Sequence, residues 1–200
     1  TLGHDGIRPS LFANGADGRG RWAATVSVKE TGDLRAFVRQ LEAIAKTAVY
    51  VGIPGESSQR ISGDAKNVRT ADEPTNVDLG YIHEYGTNTG IGGHVPIPPR
   101  PFLAPGVSKA TAHCTELLKI GVAESLSKRS PAPVLATLEE AGLHAVNVVR
   151  GMFDTQGDAS WPPLAKGTLY KRRKRGRTGT RPLLDTGQLR NSITYIIKSK

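Results

Sequence analysis

The stretch Ala24–Ile53, ATVSVKETGDLRAFVRQLEAIAKTAVYVGI, decides how the chain is read. Ala24 to Lys29 alternates at period two, as a half-buried strand does. Gly32-Asp33 breaks the pattern, and Asp33 is suited to cap a helix. Leu34, Phe37, Val38, Leu41, Ile44 and Ala45 then fall on one helical face, which predicts a helix over 33–46. Thr47 to Ile53 is rich in β-branched residues and stops at Pro54, which predicts a second strand. A strand, a helix and a strand in succession point to an α+β fold.

Further along, two long helices are expected. One runs near 107–128 with Cys114, Leu117, Leu118 and Val122 on one side. The other runs near 131–153, opened by Ser130-Pro131 as cap and first-turn proline. Its face is Val134, Leu135, Leu138, Ala141, Gly142, Ala145, Val146, Val149 and Phe153. A shorter helix is expected over 77–85, capped by Asn76 and closed by Gly86. Ile193, Tyr195 and Ile197 alternate inside 189–198, which predicts a closing strand. The expected fold is therefore a small, mostly antiparallel sheet (24–29, 47–53, 189–198) packed by helices.

Between these elements lie polar or Gly/Pro-rich connections. Residues 54–75 carry almost no apolar side chains, 86–101 is glycine first and proline later, and 154–182 holds Trp161 and a dense run of cations. All three are expected to be mobile loops, with 1–22 a flexible arm ahead of a single domain, 23–200. No run of 18 apolar residues occurs, so no membrane span is expected. Residues 1–20 lack the apolar block of a signal peptide. A single cysteine, Cys114, excludes an internal disulfide and suits a reducing compartment.

The charge is concentrated. Residues 166–181, KGTLYKRRKRGRTGTR, contain eight Lys and Arg and no acid; elsewhere 19 basic residues face 18 acidic ones. Nearly all of the formal net charge of +9 therefore sits in one segment. Lys171, Arg172, Arg173, Lys174, Arg175 and Arg177 are candidates for contact with DNA or with an acidic partner, because neutralised phosphates release counterions. Only Tyr170 is interleaved, so no row of stacking aromatics is present.

Motifs of catalysis are weak. Leu183-Leu184-Asp185-Thr186-Gly187 resembles the local signature of an aspartic protease. Only 13 residues follow Gly187, and the chain before it is helical where a β-barrel is required. Asp185 is better read as a residue that caps a turn or accepts from a backbone amide. His83-Glu84 starts like a zinc-binding helix, but position 87 is Thr. The five histidines have no ligand spacing, and phosphate-binding glycine loops are lacking. No catalytic, metal or cofactor-binding residues are assigned.

Three segments, taken in order, carry a resemblance. Asp78-Leu-Gly-Tyr-Ile-His-Glu-Tyr-Gly-Thr87 comes first. Ile97-Pro-Pro-Arg-Pro-Phe-Leu103 follows. Trp161-Pro-Pro-Leu164 with Leu183-Leu-Asp-Thr-Gly-Gln-Leu-Arg-Asn-Ser-Ile193 closes the series. Together they resemble tailed-phage neck and tail-completion proteins, the virion-morphogenesis or minor-tail-protein family that includes the Z type of lambda-like phages. The resemblance implies a non-enzymatic assembly protein that joins the head connector to the tail as a ring, hexameric in that family, around the DNA channel. The implied partners are further copies of the chain, neighbouring neck or connector proteins, the tail terminator and the tail tube. No cofactor and no membrane are implied, and the place is the virion's head–tail junction after synthesis in the host cytoplasm. His83, Glu84, Tyr85, Arg100, Pro101, Phe102, Trp161, Leu189 and Arg190 become candidate interface residues, although these positions could equally brace the monomer's own loops. The alternative reading is a DNA-binding accessory protein that uses 166–181.

Overall fold

The computed structural model describes residues 32–55, 74–88 and 96–199. In chain order these form α1 (Gly32–Ala45), β1 (Thr47–Gly52), α2 (Asn76–Tyr85), α3 (Leu103–Lys128) and α4 (Ala132–Asp154). They continue with α5 (Lys166–Lys174), α6 (Gln188–Asn191) and β2 (Thr194–Ser199). The architecture is mixed α+β, with β1 and β2 as an antiparallel pair. The expected strand at 24–29, the arm 1–22, most of 54–75 and the middle of 86–101 lie outside the described residues.

The two strands pair from Thr47↔Ser199 to Gly52↔Thr194. Directly opposed residues share a face, so Val49–Ile197 and Val51–Tyr195 lie on one side and Tyr50–Ile196 on the other. The first set is partly covered, and Tyr50 and Ile196 are exposed. An isolated two-stranded ribbon is marginal in water. Helix α4 packs against both strands and supplies the missing cover.

Helices α3 and α4 form an antiparallel hairpin joined by Arg129, Ser130 and Pro131. Arg129 takes a left-handed conformation (φ 49°) that ends α3. Ser125, fully buried, then accepts a hydrogen bond at Oγ from Val134 N at 3.0 Å and so serves the first turn of α4. The expected cap, Ser130, accepts instead from Ala132 N at 3.3 Å.

The seam between these helices differs from the expected one. On α3 the buried positions are Gly106, Ala110, Gly121 and Ser125, while Val122 is exposed. A Cβ added to Gly106 would lie 2.8 Å from Val149 Cα, and one on Gly121 would collide with Thr137. The backbones approach so closely that only small side chains fit between them. Large apolar residues of α3 are accordingly displaced outward. On α4 the expected face is buried except for Leu135, which is exposed, and Met152 joins it.

The main core gathers Leu79, Phe102, Val146, Val149, Met152, Phe153, Trp161, Leu189 and Ile193. Phe102 and Phe153 meet with ring centroids 4.9 Å apart, and Trp161 stands edge-on to Phe153 at 5.8 Å and 88°. It is built from α2, the start of α3, the end of α4 and the C-terminal segment.

Three boundaries are corrected. The N-cap of α2 is Thr75, not Asn76: its hydroxyl accepts from Asp78 N, and the Asp78 carboxylate accepts from Thr75 N at 2.8 Å, a capping box. Residues 189–191 belong to the helical turn α6 rather than to a strand, because Gly187 (φ 75°) redirects the chain and Leu189 drops into the core. The strand begins only at Thr194. Within the expected loop 154–182, Lys166–Lys174 is helical, held by a buried arginine described below.

Candidate functional site: a framework built from three segments

The three segments meet around the N-terminal end of α3. Helix α3 has no side-chain cap of its own, since Phe102 occupies that position. Glu84, at the end of α2, supplies one from a distance. Its Oε2 accepts from Phe102 N at 2.8 Å and Leu103 N at 2.9 Å, and its Oε1 accepts from Ala104 N at 2.9 Å. The buried carboxylate thus satisfies three amides at the positive end of the helix dipole.

The connection between α2 and α3 is pinned at both ends. Thr87 and Ile97 exchange backbone hydrogen bonds at 3.0 and 2.8 Å, closing the connection as an antiparallel bridge. Gly86 sits at φ 74°, and a Cβ there would lie 2.9 Å from Ile97 O. Arg100 N donates to His83 O at 2.6 Å.

Arg100 then ties the second segment to the third. Its Nε donates to Pro162 O at 3.0 Å and its Nη2 to Pro163 O at 3.1 Å. Consecutive prolines cannot donate to a backbone ladder, and the rigid guanidinium fork matches their carbonyls. Burial pushes the Arg100 guanidinium below its ordinary pKa. Trp161 closes the circuit by donating from Nε1 to Pro101 O at 3.0 Å.

The turn that delivers Trp161 is unusual. Gln156, Gly157, Asp158 and Ala159 all have φ between 54° and 63°, one turn of left-handed backbone. Such geometry costs about 1–2 kcal/mol for each residue other than glycine. The bonds offsetting it include Gly157 N to Met152 O at 2.9 Å, Ala159 N to Thr155 O at 2.9 Å, and an ion pair between Lys109 and Asp158. That lysine holds the Asp158 carboxyl below the usual range.

The last segment is fastened by arginines. Arg190 donates to Arg150 O at 3.3 Å and Asp154 Oδ2 at 3.0 Å, while Arg150 donates to Asn191 O and Ile193 O at 3.2 and 2.7 Å. Asp185 of the Asp-Thr-Gly run accepts from Arg177 at 2.5 Å and faces Arg172 Nε at 3.6 Å. Its partners are side chains rather than a backbone amide, which was one of the two roles read for it in the sequence.

Most of the candidate interface residues therefore turn inward. Glu84, Arg100, Phe102, Trp161 and Leu189 are buried, His83, Pro101 and Arg190 are half-buried, and Tyr85 alone stands well exposed. Glu84, Arg100, Trp161 and Arg190 hold loops of the chain itself.

A residue that sequence reasoning missed accompanies Tyr85. Tyr81, one helical turn earlier, has its ring centroid 4.9 Å from that of Tyr85, and both are 68% exposed. With Val77 they form an i, i+4, i+8 stripe on α2, beside the buried Gly80 and Glu84. That spacing was the available signal. The stripe borders an apolar groove of about 660 Å³, which also touches Ile53, Leu103 and Val107. A smaller cavity of about 180 Å³ has His83, Arg100, Arg172 and Leu189 in its lining.

Among the basic candidates, two are engaged within the fold. Arg172 is buried and donates from Nη1 to Gly179 O at 3.0 Å and Arg181 O at 2.9 Å, and Arg177 is on Asp185. Lys171, Arg173, Lys174 and Arg175 are exposed. Among the described residues no three His, Cys, Asp or Glu side chains are grouped to hold a metal, and no helix is long and apolar enough to cross a membrane. No family model, curated protein or solved structure compared with the chain matches it.

Proposed function

We propose that the chain is a structural subunit of a tailed-phage neck, non-enzymatic, which joins head connector to tail as a ring around the DNA channel. The observation that carries the reading is the ordered set of three segments together with their convergence. Residues from 78–87, 97–103 and 161–164 interlock through Glu84, Arg100 and Trp161, and Leu189 and Ile193 of 183–193 pack into the same core. Segments that share a resemblance and also build one framework are accounted for as a single inherited unit.

A ring requires two different, complementary surfaces on each subunit. The groove beside Tyr81 and Tyr85 is one apolar surface. The α3–α4 hairpin offers another, where Ile120, Leu126, Leu135 and Leu143 are exposed. Seating a neighbour's hairpin in the groove gives a head-to-tail contact, and six such contacts follow the symmetry of the resembled family. Aromatic residues are favoured anchors in such interfaces because they bury much area with little ordering cost.

Electron microscopy of particles, and of tails assembled without this chain, tests the reading. The expected result is ring density at the head–tail junction that disappears in the deletion, leaving unjoined heads and tails. Particles that join normally without the chain, and that never contain it, would overturn the proposal.

A further inference from the structure

Helix α5 was expected as part of a loop, and its order has a consequence for its charge. With 3.6 residues per turn, the buried Arg172 fixes which side of α5 faces the protein. Lys166, Tyr170 and Lys174 then stand one above another on the opposite side, over about 12 Å. Lys171 and Arg173 flank this ridge on either side, and Arg175 follows at its end. All six are exposed, Tyr170 to 69%. Asp185, the carboxylate that pairs with this segment, is occupied by Arg172 and Arg177.

Basic residues thus divide into two sets. Arg172 and Arg177 face inward and hold α5 against the 179–185 return of the chain. Lys166, Lys171, Arg173, Lys174 and Arg175 face outward on a platform that is already ordered, with no described acidic neighbour to neutralise them. A cationic ridge fixed before binding loses little freedom on meeting a regularly charged rod.

We propose that the outward face of α5 is a binding site for duplex DNA that contacts the sugar–phosphate backbone without regard to base sequence. Lysines and arginine neutralise phosphates, and the Tyr170 hydroxyl donates to a phosphate oxygen. One aromatic among the cations supplies no stacking row for unpaired bases, which favours the duplex over a single strand. Nothing in this site depends on a ring or a neck, so it stands or falls separately from the function proposed above.

The test is fluorescence anisotropy of the intact chain with a short labelled duplex across a salt series. With about four phosphates neutralised, affinity should fall roughly a hundredfold between about 50 and 200 mM salt. The variant Lys171→Gln/Arg173→Gln/Lys174→Gln should reduce the salt slope by about 2 to 3, since each lost phosphate contact removes about 0.9. Arg39→Gln/Lys46→Gln/Lys198→Gln, which removes equal charge from α1, its C-terminal junction and β2, should leave most of the slope intact. All substituted residues are exposed, and circular dichroism should confirm unchanged folding in both variants. The site is overturned if the native chain does not bind duplex at low salt, or if both variants weaken binding equally. It is also overturned if single-stranded DNA binds more tightly, or if poly-glutamate displaces the duplex at equal charge, which would indicate an acidic protein partner.

Discussion

The framework around the start of α3 and the helix α5 use the same residue types in opposite directions. In the framework, Arg100 and Glu84 spend their charge on backbone carbonyls and amides inside the chain. On α5, only Arg172 does so, and the other cations face outward. A charged residue in a recognisable motif is therefore a poor guide to a binding surface: the motif's charges fasten loops, while the less distinctive charges remain available. The sharpest way to break this contrast is to remove inward and outward groups in turn.

Glu84→Gln should have the largest effect. An amide can accept on one side only, and its NH2 would confront an α3 amide that the carboxylate now satisfies. The expected loss is about 2–4 kcal/mol of stability, read from urea unfolding. Arg100→Lys should follow, at about 1–3 kcal/mol, because an ammonium on a flexible stem cannot reproduce the forked contact with Pro162 and Pro163. A loss as small as that of a surface substitution would mean that the segments are not held together as described.

Gly121→Ala should cost about 1–3 kcal/mol by forcing the α3–α4 seam apart at Thr137. Tyr81→Ser/Tyr85→Ser should affect stability much less. Calorimetry should show a change within about 0.5 kcal/mol for each position, since both rings are exposed, while joining of heads to tails should be lost. If the double variant unfolds instead, the stripe belongs to the fold and not to an assembly surface.

The smallest effect concerns acid. Bonds from the Thr75 side chain and backbone hold the Asp78 carboxyl below its ordinary pKa. Its contribution to stability is therefore complete above the unfolded value and is lost as pH falls through the lower folded one. Asp78→Asn should flatten that part of the stability profile, measured by thermal unfolding between neutral and strongly acidic pH.

What the sequence disclosed depended on the kind of signal. Helix α4 was legible because Leu138, Ala141, Val146, Val149 and Phe153 repeat with helical spacing. The seam on α3 was not, because Gly106, Ala110, Gly121 and Ser125 carry no hydrophobic pattern, and the large residues Val122 and Leu126 point away from it. Asn76 and Thr75 compete as caps, and Asp78 three residues after Thr75 was the deciding clue. Nothing local marks Arg172 among its basic neighbours as the buried one. Its partners, Gly179 and Arg181, become close only after the chain turns back. The site divides the same way: the segments could be recognised, but their inward orientation is a tertiary fact.

The cap that Glu84 provides also orders events in time. Helix α3 and helix α4 are neighbours in sequence and can zip together through short loops, whereas the first turn of α3 must wait for a carboxylate from 18 residues upstream to arrive. Closing that loop carries an entropic cost before any bond repays it. The start of α3 should therefore form after the folding barrier is crossed, so that Glu84→Gln mainly accelerates unfolding and leaves the folding rate nearly unchanged. On the same grounds Glu84→Gln should speed hydrogen exchange of the α2 amides, because the native contact latches α2 and its tyrosine stripe to the rest of the molecule.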